Sequence, residues 1–341
     1  MKKTRKCRPL LIIGMLKCGT TSLSRHLAHH PEVSTPIAKE LYYFVDEGSS
    51  LVSMQNVINK LAFGKDVTSE EIGFDEYFEP GPGQTYIMDA TPFSYSQQCA
   101  IDFMKKHPEG RVIFMLRDPA RRLMSSFRFF QGMYQEYPDS EFDEFTNALL
   151  NIGQTRDPYR ARIDKDFFKE LFDSEIEMGR YVTHIRRWQS QLPAEQIFIG
   201  TMEQLRDDPA VMMSEICGFL GVSDSCYEAY DFQPFMQSYK VRYSWLQKIG
   251  RRVGKEDPMR FDRISRFQNP FHRIPLDGVR TTLETLYKKI QHADKGADFS
   301  QSFALLDAAY QINNVELFAE YGIDYRKDDF MAETNARQAA E

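Results

Sequence analysis

Leu10-Leu11-Ile12-Ile13-Gly14-Met15-Leu16-Lys17-Cys18-Gly19-Thr20-Thr21-Ser22-Leu23 is the stretch that decides the fold. Its short continuous apolar run, bounded by turn residues, reads as a fully buried strand of a parallel sheet. The helix that follows spans Ser22–His30 and is stopped by Pro31. Between them, Gly14 and Gly19 have the G-x-x-x-x-G spacing of a phosphate-binding loop. Glycines let the backbone wrap an anion, and the N–H groups of Gly19–Ser22 open a helix pointing at it. The hydroxyls of Thr20, Thr21 and Ser22 add donors. Thr20 stands where a triphosphate-binding loop carries the lysine for the β/γ-phosphates, and the lysine lies inside the loop as Lys17. The turn therefore suits a phosphate-sized group plus one neighbour, not a triphosphate.

Working outward, Tyr86–Met88, Val112–Leu116 and Ile197–Ile199 read as further strands. Pro119–Tyr134, Tyr181–Gln191 and Ala210–Leu220 read as helices, the last ended by Gly221. Alternation of this kind predicts an α/β, P-loop-type three-layer sandwich, with a central parallel sheet flanked by helices. The expectation is a single elaborated domain over residues 1–330. It carries helical or irregular insertions near 46–84 and 135–178, a basic lid-like segment at 231–280, and a frayed tail at 331–341.

A second segment narrows the chemistry. After the strand Val112–Leu116 comes Arg117-Asp118-Pro119-Ala120-Arg121-Arg122-Leu123-Met124-Ser125-Ser126-Phe127. Arg117 sits at the carboxyl end of a strand, where parallel sheets bind ligands, and Ser125 lies two helical turns on. Both can address one phosphate, with the guanidinium giving forked hydrogen bonds. A solvated basic helix is the competing reading, and for Arg121 it is the preferred one.

Together these segments resemble the sulfotransferases that use 3′-phosphoadenosine-5′-phosphosulfate (PAPS). The turn Gly14–Leu23 resembles that family's 5′-phosphosulfate loop, and Arg117, Pro119, Arg122, Ser125 and Phe127 match its 3′-phosphate motif. Lys39-Glu40-Leu41-Tyr42-Tyr43-Phe44 resembles the K-E-x-x-[FY]-F stretch of the carbohydrate (heparan-type) branch, and Asp89-Ala90-Thr91-Pro92-Phe93-Ser94-Tyr95 its T-P-x-x-Y element. Ile197 to Val222 and Leu305 to Tyr325 resemble its later strand, turn and closing helix. The resemblance implies sulfuryl transfer from PAPS to an acceptor hydroxyl or, less readily, an amine, on a small molecule, lipid or carbohydrate, leaving 3′,5′-ADP. It implies that Lys17, Cys18, Gly19, Thr20, Thr21 and Ser22 hold the 5′ end of the donor, and Arg117 and Ser125 the 3′-phosphate. Lys17 then stabilises the leaving phosphate and Glu40 is the base, with Asp89 in reserve. The family needs no metal. Its third donor element does not align here: Lys240, Arg242, Arg251 and Arg252 around Gly250, or Arg273 and Arg280, are the candidates to supply it.

No histidine matches the base of the cytosolic branch. His107 leads into a strand at the wrong end of the sheet, and His26, His29 and His30 fit the outer face or end of the first helix. Trp188 reads as core and Trp245 as a possible stacking partner. Tyr42, Tyr43, Phe44, Phe127, Phe129, Phe130 and Tyr134 fit either an apolar acceptor pocket or core. A P-loop small-molecule kinase is the rival enzyme, opposed by the missing loop lysine, and a non-catalytic PAPS-binding protein is the rival binder.

Composition sets the remaining bounds. The formal net charge of −6 excludes a surface that coats nucleic acid or an anionic membrane. The cations are uneven, however. Residues 1–30 hold seven Lys/Arg and no acid, and 240–280 hold eleven against four acids. Five cysteines without a C-x-x-C pair or Cys/His cluster argue against a disulfide framework or zinc site and for a reducing compartment. The run at 10–13 is too short for a membrane span and leads into a Gly/Lys/Thr turn, so the expected location is cytoplasmic.

Overall fold

A computed structural model describes residues 7–64, 72–134, 136–138, 140–232 and 298–325. Five parallel strands make one sheet: β1 (Arg8–Gly14), β2 (Val33–Ser34), β3 (Tyr86–Asp89), β4 (Arg111–Leu116) and β5 (Ile197–Thr201), in the order β2-β3-β1-β4-β5. Leu10, Ile12 and Ile13 of β1 and Val112 through Leu116 of β4 are completely buried. Continuous apolar runs are what a parallel sheet covered on both faces demands. Each such side chain contributes roughly 1.5–3 kcal/mol on burial.

Helices flank the sheet, as expected from the alternation. They are α1 (Thr20–Ala28), α2 (Val52–Phe63), α3 (Gln98–Lys105), α4 (Pro119–Arg128), α5 (Phe142–Leu149), α6 (Arg156–Arg160), α7 (Asp166–Met178), α8 (Tyr181–Gln189), α9 (Met202–Asp207), α10 (Pro209–Leu220) and α11 (Ser300–Tyr321). The start of α4 follows from its sequence: Asp118 accepts the Arg121 N–H at 2.8 Å, and Pro119 occupies the first turn, where its missing N–H is harmless. The helix therefore begins immediately after Arg117. Gly221, at φ +69°, closes α10 as read from the sequence.

Strand order fixes where a ligand goes. The chain leaves β1 toward β2 on one side and leaves β3 toward β4 on the other. The loops after β1 and β4 thus diverge over one crevice at the carboxyl edge, the usual ligand site of such sheets. The β1–β4 register slips between Ile12 and Gly14, a local bulge at the mouth of that crevice.

Four expectations change. The helix read as Pro119–Tyr134 is α-helical only to Arg128 and continues as a π-helical turn, Phe129–Tyr134. His26 and His30 are buried rather than outward, each 2% exposed, and only His29 is exposed. Their spacing with Leu23 and Leu27 (23, 26, 27, 30) is the inward stripe of a helix, a signal present in the sequence. The two-residue β2 was not read at all. Tyr42, Phe44, Phe127 and Phe130 are core side chains, whereas Tyr43 and Phe129 stay half-buried. Trp188 is core, fully buried with its indole N–H donated to the Tyr95 carbonyl at 2.8 Å. The 46–84 region holds α2 and a 3-10 turn, and 135–178 holds α5 to α7. Of the basic segment 231–280, only Asp231 and Phe232 are among the described residues, so Trp245, Lys240, Arg242, Gly250, Arg251, Arg252, Arg273 and Arg280 lie outside them, as does the 331–341 tail. Among the described residues no helix is long and apolar enough to cross a membrane.

Candidate active site

The loop after β1 is held in an uncommon shape. Lys17 takes φ +66° and Gly19 φ +84°, both in the left-handed region. A Cβ on Gly19 would lie 2.4 Å from the Met202 Sδ of α9, so only glycine fits there. The first intrahelical bond of α1 runs from the Leu23 N–H to the Gly19 carbonyl at 3.0 Å. The N–H groups before it open the helix toward the loop, which makes an anion cradle. Thr20 and Ser22 are buried and Thr21 is half-buried.

Cys18 departs from the expected role. Its N–H bonds the Met15 carbonyl at 3.1 Å, and its thiol faces inward, 3.7 Å from the Leu16 carbonyl and 3.8 Å from the Tyr181 hydroxyl. Burial pushes the thiol up to about 12. Both the N–H and the thiol of Cys18 are engaged within the protein and shape the loop.

Arg117 reaches the same place from β4. Its Nη1 donates to the Lys17 carbonyl at 3.4 Å, across 100 residues of sequence, while its own carbonyl accepts the Tyr181 hydroxyl at 2.7 Å. Ser125 is buried on α4. Behind it, the fully buried Arg122 donates to Glu175 Oε2 at 2.9 Å and to the Glu175 carbonyl at 2.5 Å. Ser126 and Tyr137 donate to Glu175 Oε1 at 2.5 and 3.1 Å. Arg122 thus belongs to the scaffold of α4. Glu203, in the first turn of α9, accepts from the Asp118 N–H at 3.4 Å and the Tyr325 hydroxyl at 3.0 Å, tying the Arg117 turn to the chain beyond α11.

Glu40 stands on a strained loop beside this crevice. Glu40 and Tyr42 have φ +64° and +48°, a conformation that costs of order 1–2 kcal/mol per residue. Asp89 and Thr91, after β3, hold it: the Leu41 N–H donates to Asp89 Oδ1 at 3.1 Å and the Tyr42 N–H to Thr91 Oγ1 at 3.1 Å. The Thr91 hydroxyl in turn donates to Asp89 Oδ1 at 3.0 Å. Asp89 is buried and its carboxyl is raised by that burial. Asp89 thus holds the loop that carries Glu40. Lys39, buried, pairs with Glu40, and the Tyr42 hydroxyl donates to Glu40 Oε2 at 3.2 Å. Sequence reasoning missed the Tyr42 hydroxyl, although it lies two residues from Glu40.

Electrostatics links the parts. Lys17 is lowered to about 7, by burial first and then by the Arg117 charge, with Glu40 opposing and Lys39 adding to the fall. Two cations and one carboxylate therefore act on one half-buried ammonium. His26 is lowered to about 4 by burial and His107 lies before β4, so neither stands at the carboxyl edge of the sheet. Among the described residues no group of three or more His, Cys, Asp or Glu side chains could hold a metal ion.

A strand–loop–helix anion cradle, crossed by an arginine from the neighbouring strand and flanked by a carboxylate, defines an α/β transferase site for an anionic group. The match to known proteins is specific about which: the sulfotransferase domain covers residues 8–273, and the chain belongs to that family. It is 24% identical over 243 residues to the bifunctional heparan sulfate N-deacetylase/N-sulfotransferase 1 of Caenorhabditis briggsae, covering 67% of this chain and 24% of that protein. It is 23% identical over 254 residues to carbohydrate sulfotransferase 15 of Mus musculus, covering 64% of this chain and 44% of the relative. The chain thus spans less than half the length of these curated relatives. The crystal structure of a sulfotransferase from Alicyclobacillus acidocaldarius aligns over 90% of this chain and 97% of its own, with a TM-score of 0.49 and 18% identity.

Proposed function

We propose that this sulfotransferase takes its sulfuryl group from PAPS and passes it in line to an acceptor hydroxyl. The observation that carries the reading is the meeting of Arg117 Nη1 with the Lys17 carbonyl at 3.4 Å, which brings the two anion-recognising segments to one crevice. The residues suit a donor with phosphate at both ends. The opened N-terminus of α1, with Thr20, Thr21 and Ser22, suits the 5′ end, and Arg117 with Ser125 suits the 3′-phosphate. When bound, PAPS supplies an activated sulfur whose bond to the bridging phosphate oxygen breaks as the acceptor oxygen attacks. Lys17 is the cation that meets the charge developing on that bridging oxygen, and stabilisation there acts in the transition state. Glu40 accepts the acceptor's proton, held in place by Lys39 and Tyr42. On the acceptor side, the half-buried Phe93 and Phe167 rings pack edge-on, with the core ring of Tyr42 stacked behind Phe93, a surface suited to the C–H face of a sugar or to an apolar alcohol.

The test is a labelled-PAPS transfer assay across sugar, lipid and small aromatic alcohols, paired with thermal shift by 3′,5′-ADP and by ATP–Mg. Stabilisation by 3′,5′-ADP with transfer to at least one acceptor class supports the reading. Stronger stabilisation by ATP–Mg would turn it toward a kinase, and binding of 3′,5′-ADP without any transfer toward a non-catalytic binder.

A further inference from the structure

The Lys17 ammonium rests 3.6 Å from the centre of the Phe129 ring. Glu40 favours the charged form of Lys17 through space but pairs directly with Lys39 and Tyr42, so the Phe129 ring is the close contact of the ammonium. Phe129 sits where α4 passes into the π-helical turn Phe129–Tyr134. Its N–H still bonds the Ser125 carbonyl, so the ring follows Ser125 on one helix face. Its position is also fixed from behind: Phe130, buried, meets it edge-on at 5.0 Å and packs on Phe168 at 5.5 Å. A π-turn at this point re-aims a side chain, a recurrent device at functional sites.

Resting on the reading that Lys17 serves the sulfuryl donor, we propose that Phe129 is a positioning residue for Lys17, its ring lying beneath the ammonium both before and after the donor binds. An aromatic face attracts a cation and does nothing for a neutral amine. It therefore works against the groups that discharge Lys17, which are burial, Arg117 after β4 and Lys39 after β2, and alongside Glu40 and the loop's own Cys18. The ring also restricts a four-carbon side chain to one approach, which a hydrophobic neighbour without a π face would not do as selectively.

Two measurements test this, neither depending on turnover. The ligand-free titration of Lys17, followed by carbon NMR at its ε-carbon, should fall by about half to one pH unit in Phe129→Leu and stay near wild type in Phe129→Tyr. Calorimetric binding of 3′,5′-ADP should weaken about three- to tenfold in Phe129→Leu at pH 8.5, where binding must recharge Lys17. At pH 5.5, where the ammonium is present beforehand, the same variant should match wild type within about twofold. An unmoved titration overturns the role of Phe129. Tighter binding by Phe129→Leu at pH 5.5 with no loss at pH 8.5 also overturns it, by showing that the ring is vacated on binding. Failure of the wild type to bind 3′,5′-ADP at any pH would overturn the donor reading and this role with it.

Discussion

Replacing Glu175 by Gln removes one charge from a pair in which neither side chain is exposed, Arg122 and Glu175 meeting at 2.9 Å. A buried guanidinium left unmatched costs about 3–5 kcal/mol. Arg122 keeps the Glu175 backbone carbonyl at 2.5 Å, which favours the lower end. Against that, Ser126 and Tyr137 both donate to Glu175 Oε1, and an amide that turns its oxygen to Arg122 sets its N–H₂ against those hydroxyls. This adds about 1 kcal/mol. We therefore expect Glu175→Gln to lose about 3–4 kcal/mol, a large share of a stability that is typically about 5–15 kcal/mol. Urea unfolding of wild type, Glu175→Gln, Glu175→Leu, Arg122→Met and the Arg122→Met/Glu175→Leu double variant measures it. Because removing both charges avoids the unmatched one, the double variant should be more stable than the sum of the single effects predicts by at least about 2 kcal/mol. A loss below about 1 kcal/mol in Glu175→Gln, or strict additivity, would refute the view that this pair holds α4.

The other predictions concern the site and its pH dependence. Lys17 is held at about 7 against an ordinary 10.5, so folding expels a proton, and the penalty is complete below pH 7 and fades as pH rises toward 10.5. Lys17→Met should thus be more stable than wild type by about 2 kcal/mol at pH 6, the figure reduced because solvent reaches a half-buried chain. That gap should close by pH 10.5 in parallel urea melts, while transfer is lost throughout. Glu40→Gln should remove most turnover yet leave 3′,5′-ADP affinity within about twofold, read by single-turnover transfer and calorimetry. In Gly19→Ala the left-handed φ and the Met202 contact should together cost about 1–3 kcal/mol and weaken 3′,5′-ADP binding, measured by thermal unfolding and titration. His26, held at about 4 where an unfolded histidine sits near 6.5, lets the unfolded chain bind the extra proton. Stability should therefore fall by up to about 3 kcal/mol as pH drops from 6.5 to 4, and His26→Phe should flatten that slope in urea melts.

Much of the fold around the Lys17 loop was legible in the residues because it is local. A buried run, two glycines and three hydroxylated residues specify strand, loop and helix within one segment, and Arg117 announces itself by following a second apolar run. What escaped depends on partners far away in sequence. Arg122 could be matched to a motif, but its ion pair could not be read, since Glu175 lies 53 residues on in a different helix. Phe129 belonged to a list of aromatics, and its contact with Lys17, on a segment far away in sequence, could not be read from it. Cys18 looked like a loop residue facing a ligand until its N–H and thiol were seen to be engaged elsewhere. The buried face of α1 was legible through its periodicity, and assigning His26 and His30 outward gave too much weight to their polarity.

If, as proposed, Arg117 takes the donor's 3′-phosphate and Lys17 serves its reacting end, the Arg117–Lys17 contact makes recognition at one end a matter of timing at the other. As it stands, the guanidinium leans on the carbonyl of the residue whose side chain works at the reacting end. A 3′-phosphate competes with that carbonyl for the same fork of donors. On that reading, engaging it would alter the support of Lys17 in its left-handed conformation, coupling the far end of the nucleotide to the near one. A donor without the 3′-phosphate should then be penalised twice, once in residence and again in the rate at which a bound molecule reacts.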